Sequence, residues 1–173
     1  NSNSNSNSNS NSNSNSNNNK RRIRRPIYVS ATKQHTGKTT ASMALISGLQ
    51  RRFDRVGFIK PVGQTCLPVP MPRPKAKDGD NNSTVIRMVD KDAVLIKSHF
   101  GLEHMNALDH GGYGAMSPVV IARGYTRDFV DGKISRGAQM DDIRRAYGAV
   151  ASVSDVVLCE GTGHCAVGSV VGA

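Results

Sequence analysis

Ile27-Tyr28-Val29-Ser30-Ala31-Thr32-Lys33-Gln34-His35-Thr36-Gly37-Lys38-Thr39-Thr40 is the stretch whose reading decides the fold. It runs from a short apolar strand through a tight loop to Gly-Lys-Thr at the head of a helix. Such a loop aims backbone N–H groups and a helix N-terminus at an anion. Lys38 then adds a point charge for the terminal phosphates, and Thr39 offers a hydroxyl to Mg²⁺. Against the general pattern G-x-x-x-x-G-K-[ST], Thr32 stands where glycine is usual, so the rest of the chain has to support the reading.

The residues on either side do so. Pro26 to Ala31 reads as a strand with proline at its edge. From Lys38 the pattern turns helical, with Ala41, Leu45, Ile46, Leu49 and Phe53 predicted on one face. Val56-Gly57-Phe58-Ile59 is a second short apolar strand, so strand, helix and strand form a βαβ unit with parallel strands. Lys60-Pro61-Val62-Gly63 follows at the carboxyl end, where open parallel sheets collect ligands. Lys60 is therefore a second candidate for phosphate or substrate contact. Near the C-terminus, Asp155 to Cys159 is a continuous apolar run of the buried-strand kind, ending in Glu160-Gly161-Thr162-Gly163-His164. An acid at the end of a buried strand is the arrangement that holds Mg²⁺ beside phosphates.

Between these anchors the signals are weaker. Leu67 to Ser83 carries Pro68, Pro70, Pro72 and Pro74 followed by charged residues, and reads as an exposed, mobile loop without a regular element. Asp90 is the predicted N-cap of a helix from Lys91, with Asp92 in its first turn and Ala93, Leu95, Ile96 and Phe100 inward. His99, His104 and His110 have no ligand spacing and are expected at exposed or core-edge positions. Tyr125 to Val130 suggests a helical turn. A longer helix is predicted over Gln139–Val153, with Met140, Ile143, Tyr147 and Val150 on one face. Arg123 and Arg127 are either a substrate-facing basic pair or two surface arginines.

Composition bounds the alternatives. The 173 residues hold one domain with a sizeable core. Asn1 to Asn19 is an Asn/Ser repeat with nothing apolar to bury and is expected to be disordered. Five of the charges behind the net +10 lie in Lys20-Arg21-Arg22-Ile23-Arg24-Arg25. A nucleic-acid arm, a targeting segment and a solvated leader all fit that cluster, and the leader is favoured because no aromatics interleave. The expected layout is thus a leader over residues 1–25 and an ATP-binding domain over 26–173. No apolar run approaches a membrane span, and nucleic acid is not the expected partner. Cys66, Cys159 and Cys165 form no CxxC pair, which suits a reducing compartment, cytoplasmic or organellar. A zinc site from Cys159, His164 and Cys165 is disfavoured by their placement.

Thr32-x-x-x-x-Gly37-Lys38-Thr39, Lys60-Pro61-Val62, Asp92-Ala93 and Glu160-Gly161-Thr162-Gly163 together resemble the dethiobiotin synthetase-like group of P-loop ATPases. That group includes the ATP-binding domain of cobyrinic acid a,c-diamide synthases and a domain found at the N-terminus of some phosphotransacetylases. Thr32 is ordinary there, while Ala31 and Lys33 replace a usual Gly and Asp. The resemblance implies an α/β fold of three αβα layers around a mostly parallel sheet. It implies ATP and Mg²⁺ as ligands, with Thr32, Lys33, Gln34, His35, Thr36, Gly37, Lys38, Thr39 and Thr40 around the phosphates. Lys38 and Lys60 would be the catalytic cations, and Thr39, Asp92 and Glu160 the metal site, with Asp90 a neighbouring candidate. The implied reaction is that of a C–N bond-forming ligase: phosphoryl transfer to a carboxylate or carbamate, whose small-molecule identity the residues do not give. Two other outcomes follow from departures. His164 tilts toward the phosphotransacetylase-associated, ATP-sensing branch. Lys33, five residues before Lys38, resembles the extra lysine of ParA/MinD-type switches and implies a homodimer. Relatives also continue beyond the Glu160 loop with further strands and an adenine-binding segment, so a C-terminally truncated nucleotide pocket is expected.

Overall fold

The computed structural model describes residues 26–33, 36–72 and 84–162. The Asn/Ser repeat, the basic leader, Gln34, His35, residues 73–83 and the Gly163-His164-Cys165 segment lie outside the described residues.

Three parallel strands carry the fold: β1 (Ile27–Val29), β2 (Val56–Ile59) and β7 (Val156–Glu160). Their order is β1-β7-β2, so the last strand of the described chain lies between the two strands of the βαβ unit. Every residue of β7 is buried, as expected of a strand with partners on both edges. Its register sets Val29 opposite Glu160 and Ile59 opposite Cys159. The loop after β1, the end of β2 and the end of β7 therefore share one sheet edge.

Helix α1 (Lys38–Gln50) joins β1 to β2 and packs on the sheet beside α2 (Lys91–Phe100). Helix α5 (Arg136–Val153) packs against β2 and β7, completing the layered α/β architecture. Phe58, Ile46, Ile96, Val150 and Leu158 are fully buried in one continuous core. The buried side of α1 is Ser42 and Ile46, whereas Ala41 and Leu45, predicted inward, are exposed. Ser42 and Ile46 lie one turn apart on the buried side, and Leu49 and Phe53, also predicted inward, pack against the core. Leu95 of α2 is likewise exposed, while Ala93 and Ile96 are buried as expected. Helix α5 begins three residues before the predicted start, because the Ser135 side chain accepts a bond from Ala138 N at 3.1 Å.

Proline-rich residues 67–72, read from sequence as loop, form a strand instead. β4 (Cys66–Pro72) pairs antiparallel with β5 (Thr84–Asp90), with Pro68 opposite Met88 and Pro70 opposite Ile86. The prolines recur every second residue, so every missing N–H falls on the same edge of β4. That edge faces away from β5, and no ladder bond is lost. A two-residue parallel pair, β3 (Val62–Gly63) with β6 (Val119–Val120), closes the region beyond Lys60. Two 3-10 turns (Glu103–Ala107 and Asp109–Gly112), α3 (Tyr113–Met116) and α4 (Tyr125–Val130) fill the connection from α2 to α5.

Candidate functional site

The site begins where β1 ends. Gly37 caps α1 in the left-handed conformation, φ 82°, which glycine adopts without strain. No side chain caps the helix, and its first turn contains no acidic residue. First-turn amides have no intrahelical acceptor, and with the helix dipole they favour an anion at this end. Lys38 and Thr39 follow in that first turn.

Across the cleft, β7 delivers Glu160 wholly buried, and Gly161 N donates to Val29 O at 2.9 Å to hold the two strand ends together. Thr39 Oγ1 donates to Glu160 Oε1 at 3.2 Å. Lys60 leaves the end of β2, its backbone N–H bound to Met116 O at 2.8 Å. The Lys60 ammonium is buried and hydrogen-bonded to Asp92 Oδ2. It also lies 3.2 Å from Asp90 Oδ1 and 3.5 Å from Glu160 Oε1. Burial alone would push the Lys60 pKa down. The Asp92 hydrogen bond and the charges of Asp90, Asp92 and Glu160 outweigh it, and the net shift is upward. Lys60 is thus a cation at every pH near neutrality.

Asp90 organises the far wall. Its carboxylate accepts from Asp92 N at 2.9 Å, capping α2, and from Gln64 N at 3.0 Å. Its own N–H donates to Ser117 Oγ at 3.1 Å. Gly63 is required for this approach, because a Cβ there would lie 2.7 Å from the Asp90 Cβ.

These parts enclose a cleft of about 640 Å³ lined by Thr36, Gly37, Lys38, Thr39, Thr40, Lys60, Asp90, Asp92 and Glu160, with Gln64, Thr65 and Lys91. Thr36 to Thr40 of the loop, the strand-end lysine and the acidic residues named from sequence therefore meet in one place, whereas Thr32 and Lys33 do not line it. Thr32 and Lys33 are exposed in the loop, where Lys33 O accepts from Thr36 Oγ1 at 3.3 Å. Arg123, just before α4, and Arg127, within it, are exposed and are not among the cleft-lining residues. Of the histidines, His99 is exposed and His104 and His110 are half-buried.

Sequence reasoning passed over Gln64, Thr65 and Lys91. For Lys91 a signal existed: a lysine in the first turn of a helix opposes the dipole, so its placement calls for a reason. Gln64 and Thr65 carry no such mark.

Among the described residues, no group of three or more His, Cys, Asp and Glu side chains is arranged to hold a metal ion. The three cleft carboxylates converge on Lys60 instead. Mg²⁺ beside nucleotide phosphates needs only one or two protein oxygens, the remainder coming from phosphate and water. Thr39 Oγ1 and Glu160 meet that need: Glu160 Oε2 is buried with no hydrogen-bond partner, a carboxylate oxygen left available.

Among the described residues, both thiols are held in the protonated form near neutrality. Burial, then the Asp90 charge, pushes Cys66 up to about 11, with Lys60 acting the other way. Burial alone pushes Cys159 up to about 11. Among the described residues, no helix is long and apolar enough to cross a membrane.

A comparison with curated proteins gave no match. A family model described as AAA domain matches residues 25–172, nearly the whole chain beyond the Asn/Ser repeat and most of the basic leader. Its members are P-loop ATPases related to the dethiobiotin synthetase-like enzymes, in keeping with the loop, the parallel sheet and the cleft. The chain belongs to this AAA-domain family of P-loop ATPases, and nucleotide binding is the activity that membership supports.

Proposed function

We propose that the domain binds Mg-ATP in the cleft and transfers the γ-phosphoryl group to a carboxylate or carbamate oxygen. The observation that carries this reading is the Lys60 ammonium, buried at the end of β2 in the same cleft as Gly37, Lys38 and Thr39. Lys38 and the open N-terminus of α1 would hold the β- and γ-phosphates. Lys60 would face the transferring group from the β2 side, where charge develops on its oxygens. The acceptor oxygen attacks phosphorus, the bond to the β,γ-bridging oxygen breaks, and ADP leaves. An amine then attacks the carbonyl carbon of the acyl phosphate and expels phosphate. Thr39 and Glu160, with Asp92 alongside, would hold Mg²⁺, which when bound neutralises phosphate charge. The chain's part is to position and neutralise rather than to form a covalent intermediate.

One observation favours a second reading. Lys60 is ion-paired to three carboxylates, so much of its charge is already offset. A cleft so balanced suits ATP binding with little turnover, as in an ATP-sensing domain. ADP release separates the two. With bicarbonate and a panel of diamines, the ligase reading predicts ADP only when an acceptor is present, and its loss in Lys38→Ala and Lys60→Ala. ATP binding without acceptor-dependent ADP across the panel would replace that reading with the sensor.

A further inference from the structure

A second pocket, of about 510 Å³, opens between β5, α3 and α5, and none of its lining residues lines the phosphate cleft. Its size falls within the roughly 300–1,000 Å³ of small-molecule sites. Three features give it a chemistry.

Arg87 enters from β5 half-buried, and among the described residues its guanidinium has no hydrogen-bond or ion-pair partner. Its nitrogens are still open to the pocket, so the guanidinium is free to meet an anion there. His110 stands beside it with a left-handed backbone, φ 54°, uncommon for a residue with a side chain. Its Nδ1 is buried without a partner, so the ring's other edge is the one open to a ligand. Both groups sit over Gly114: a Cβ on that residue would lie 3.5 Å from Arg87 Nη1 and 3.5 Å from His110 Cδ2. The missing side chain leaves the space they face.

The remaining walls are small and apolar, with Ala107, Ala115, Ala146 and Ala149 along two sides. The mouth carries Asp109 and Asp142, the latter already paired with the exposed Arg145 at 2.9 Å. One unpaired cation with two carboxylates nearby disfavours a dianion such as phosphate and admits a monoanion. The chain next to the pocket residues Ala115 and Pro118 also reaches the phosphate cleft. Met116 O accepts from Lys60 N, Ser117 Oγ accepts from Asp90 N, and Arg87 shares β5 with Asp90.

We propose that this pocket is a second ligand site that takes a short-chain aliphatic carboxylate. The carboxylate lies on the Arg87 guanidinium beside His110, and the alkyl chain runs along the alanines. A planar guanidinium holds a carboxylate through two parallel N–H bonds, a match that neither an alcohol nor an amine makes. This site stands whether or not the phosphate cleft turns over ATP.

Titration of the full chain with hexanoate, hexanol and hexylamine, followed by amide NMR shifts, tests it. Hexanoate is expected to bind saturably, moving the amides of Arg87 and residues 107–115, and about tenfold more tightly than hexanol or hexylamine. Arg87→Gln should weaken hexanoate about tenfold, and Arg145→Gln, whose guanidinium Asp142 already holds, less than about threefold. Gly114→Leu fills the space while keeping the guanidinium and should abolish the shifts. Dispersed spectra of each variant show that it is folded. Absence of saturable hexanoate binding in the wild type, equal binding of the amine, or unchanged affinity in folded Arg87→Gln or Gly114→Leu would each overturn the proposal.

Discussion

Lys60 is the side chain on which the charge balance of the phosphate cleft turns. Without it, Asp90, Asp92 and Glu160 would point at one another from buried positions. Lys60→Met is therefore expected to cost about 3–5 kcal/mol, the range for breaking a buried ion pair from one side. Urea unfolding measures it, and a loss under about 1 kcal/mol would mean that water already screens the cluster. Cys66 supplies a pH test. With its thiol held up to about 11, mainly by burial, the thiolate fraction is small near neutrality. Iodoacetamide labelling of Cys66, followed by peptide mass spectrometry, should accelerate about tenfold per pH unit from pH 8 to 10. A plateau by pH 9 would show an ordinary thiol. At this scale the residue types of the site were legible, because Lys38, Lys60, Asp92 and Glu160 each sit at a strand end or helix start. The Asp90 cap on the Asp92 amide was legible too, but its bond to the Gln64 amide was not, because only the folded backbone brings residue 64 beside it.

Elements were legible where local chemistry and packing agreed. The Asp90 cap and α2 coincide because the carboxylate satisfies a first-turn amide of the helix that it starts. The two sides of the βαβ unit were plain from their apolar runs. In β4 the prolines hid a strand, since proline count suggests a loop while proline spacing permits an edge. In α1 the apolar stripe held at Ile46, Leu49 and Phe53 and failed at Ala41 and Leu45, where Ser42 is buried instead. Close helix–sheet contact appears between β2 and α5. A Cβ on Gly57 would lie 2.7 Å from Val150 Cγ1, with the Ser154 hydroxyl nearer still. Gly57→Ala is thus expected to cost about 1–3 kcal/mol through overpacking. A change in melting temperature indistinguishable from zero would mean that α5 can move away at no cost.

For the whole molecule, the parallel α/β plan followed from one phosphate loop and two apolar strands, but the strand order did not. Local pattern says nothing about which strand lies between β1 and β2, and β7 takes that place from about a hundred residues away. That insertion sets Val29 opposite Glu160 and brings Thr39 within hydrogen-bond distance of the acid. The central claim is that this juxtaposition makes a Mg-nucleotide site, and isothermal titration of ATP tests it most directly. Wild type should bind ATP more tightly with Mg²⁺ than without, and Lys38→Ala should lose at least about tenfold in either condition. Glu160→Gln should keep Mg-free binding and lose the gain from Mg²⁺. Equal affinity in all three proteins, with and without the metal, would contradict the account.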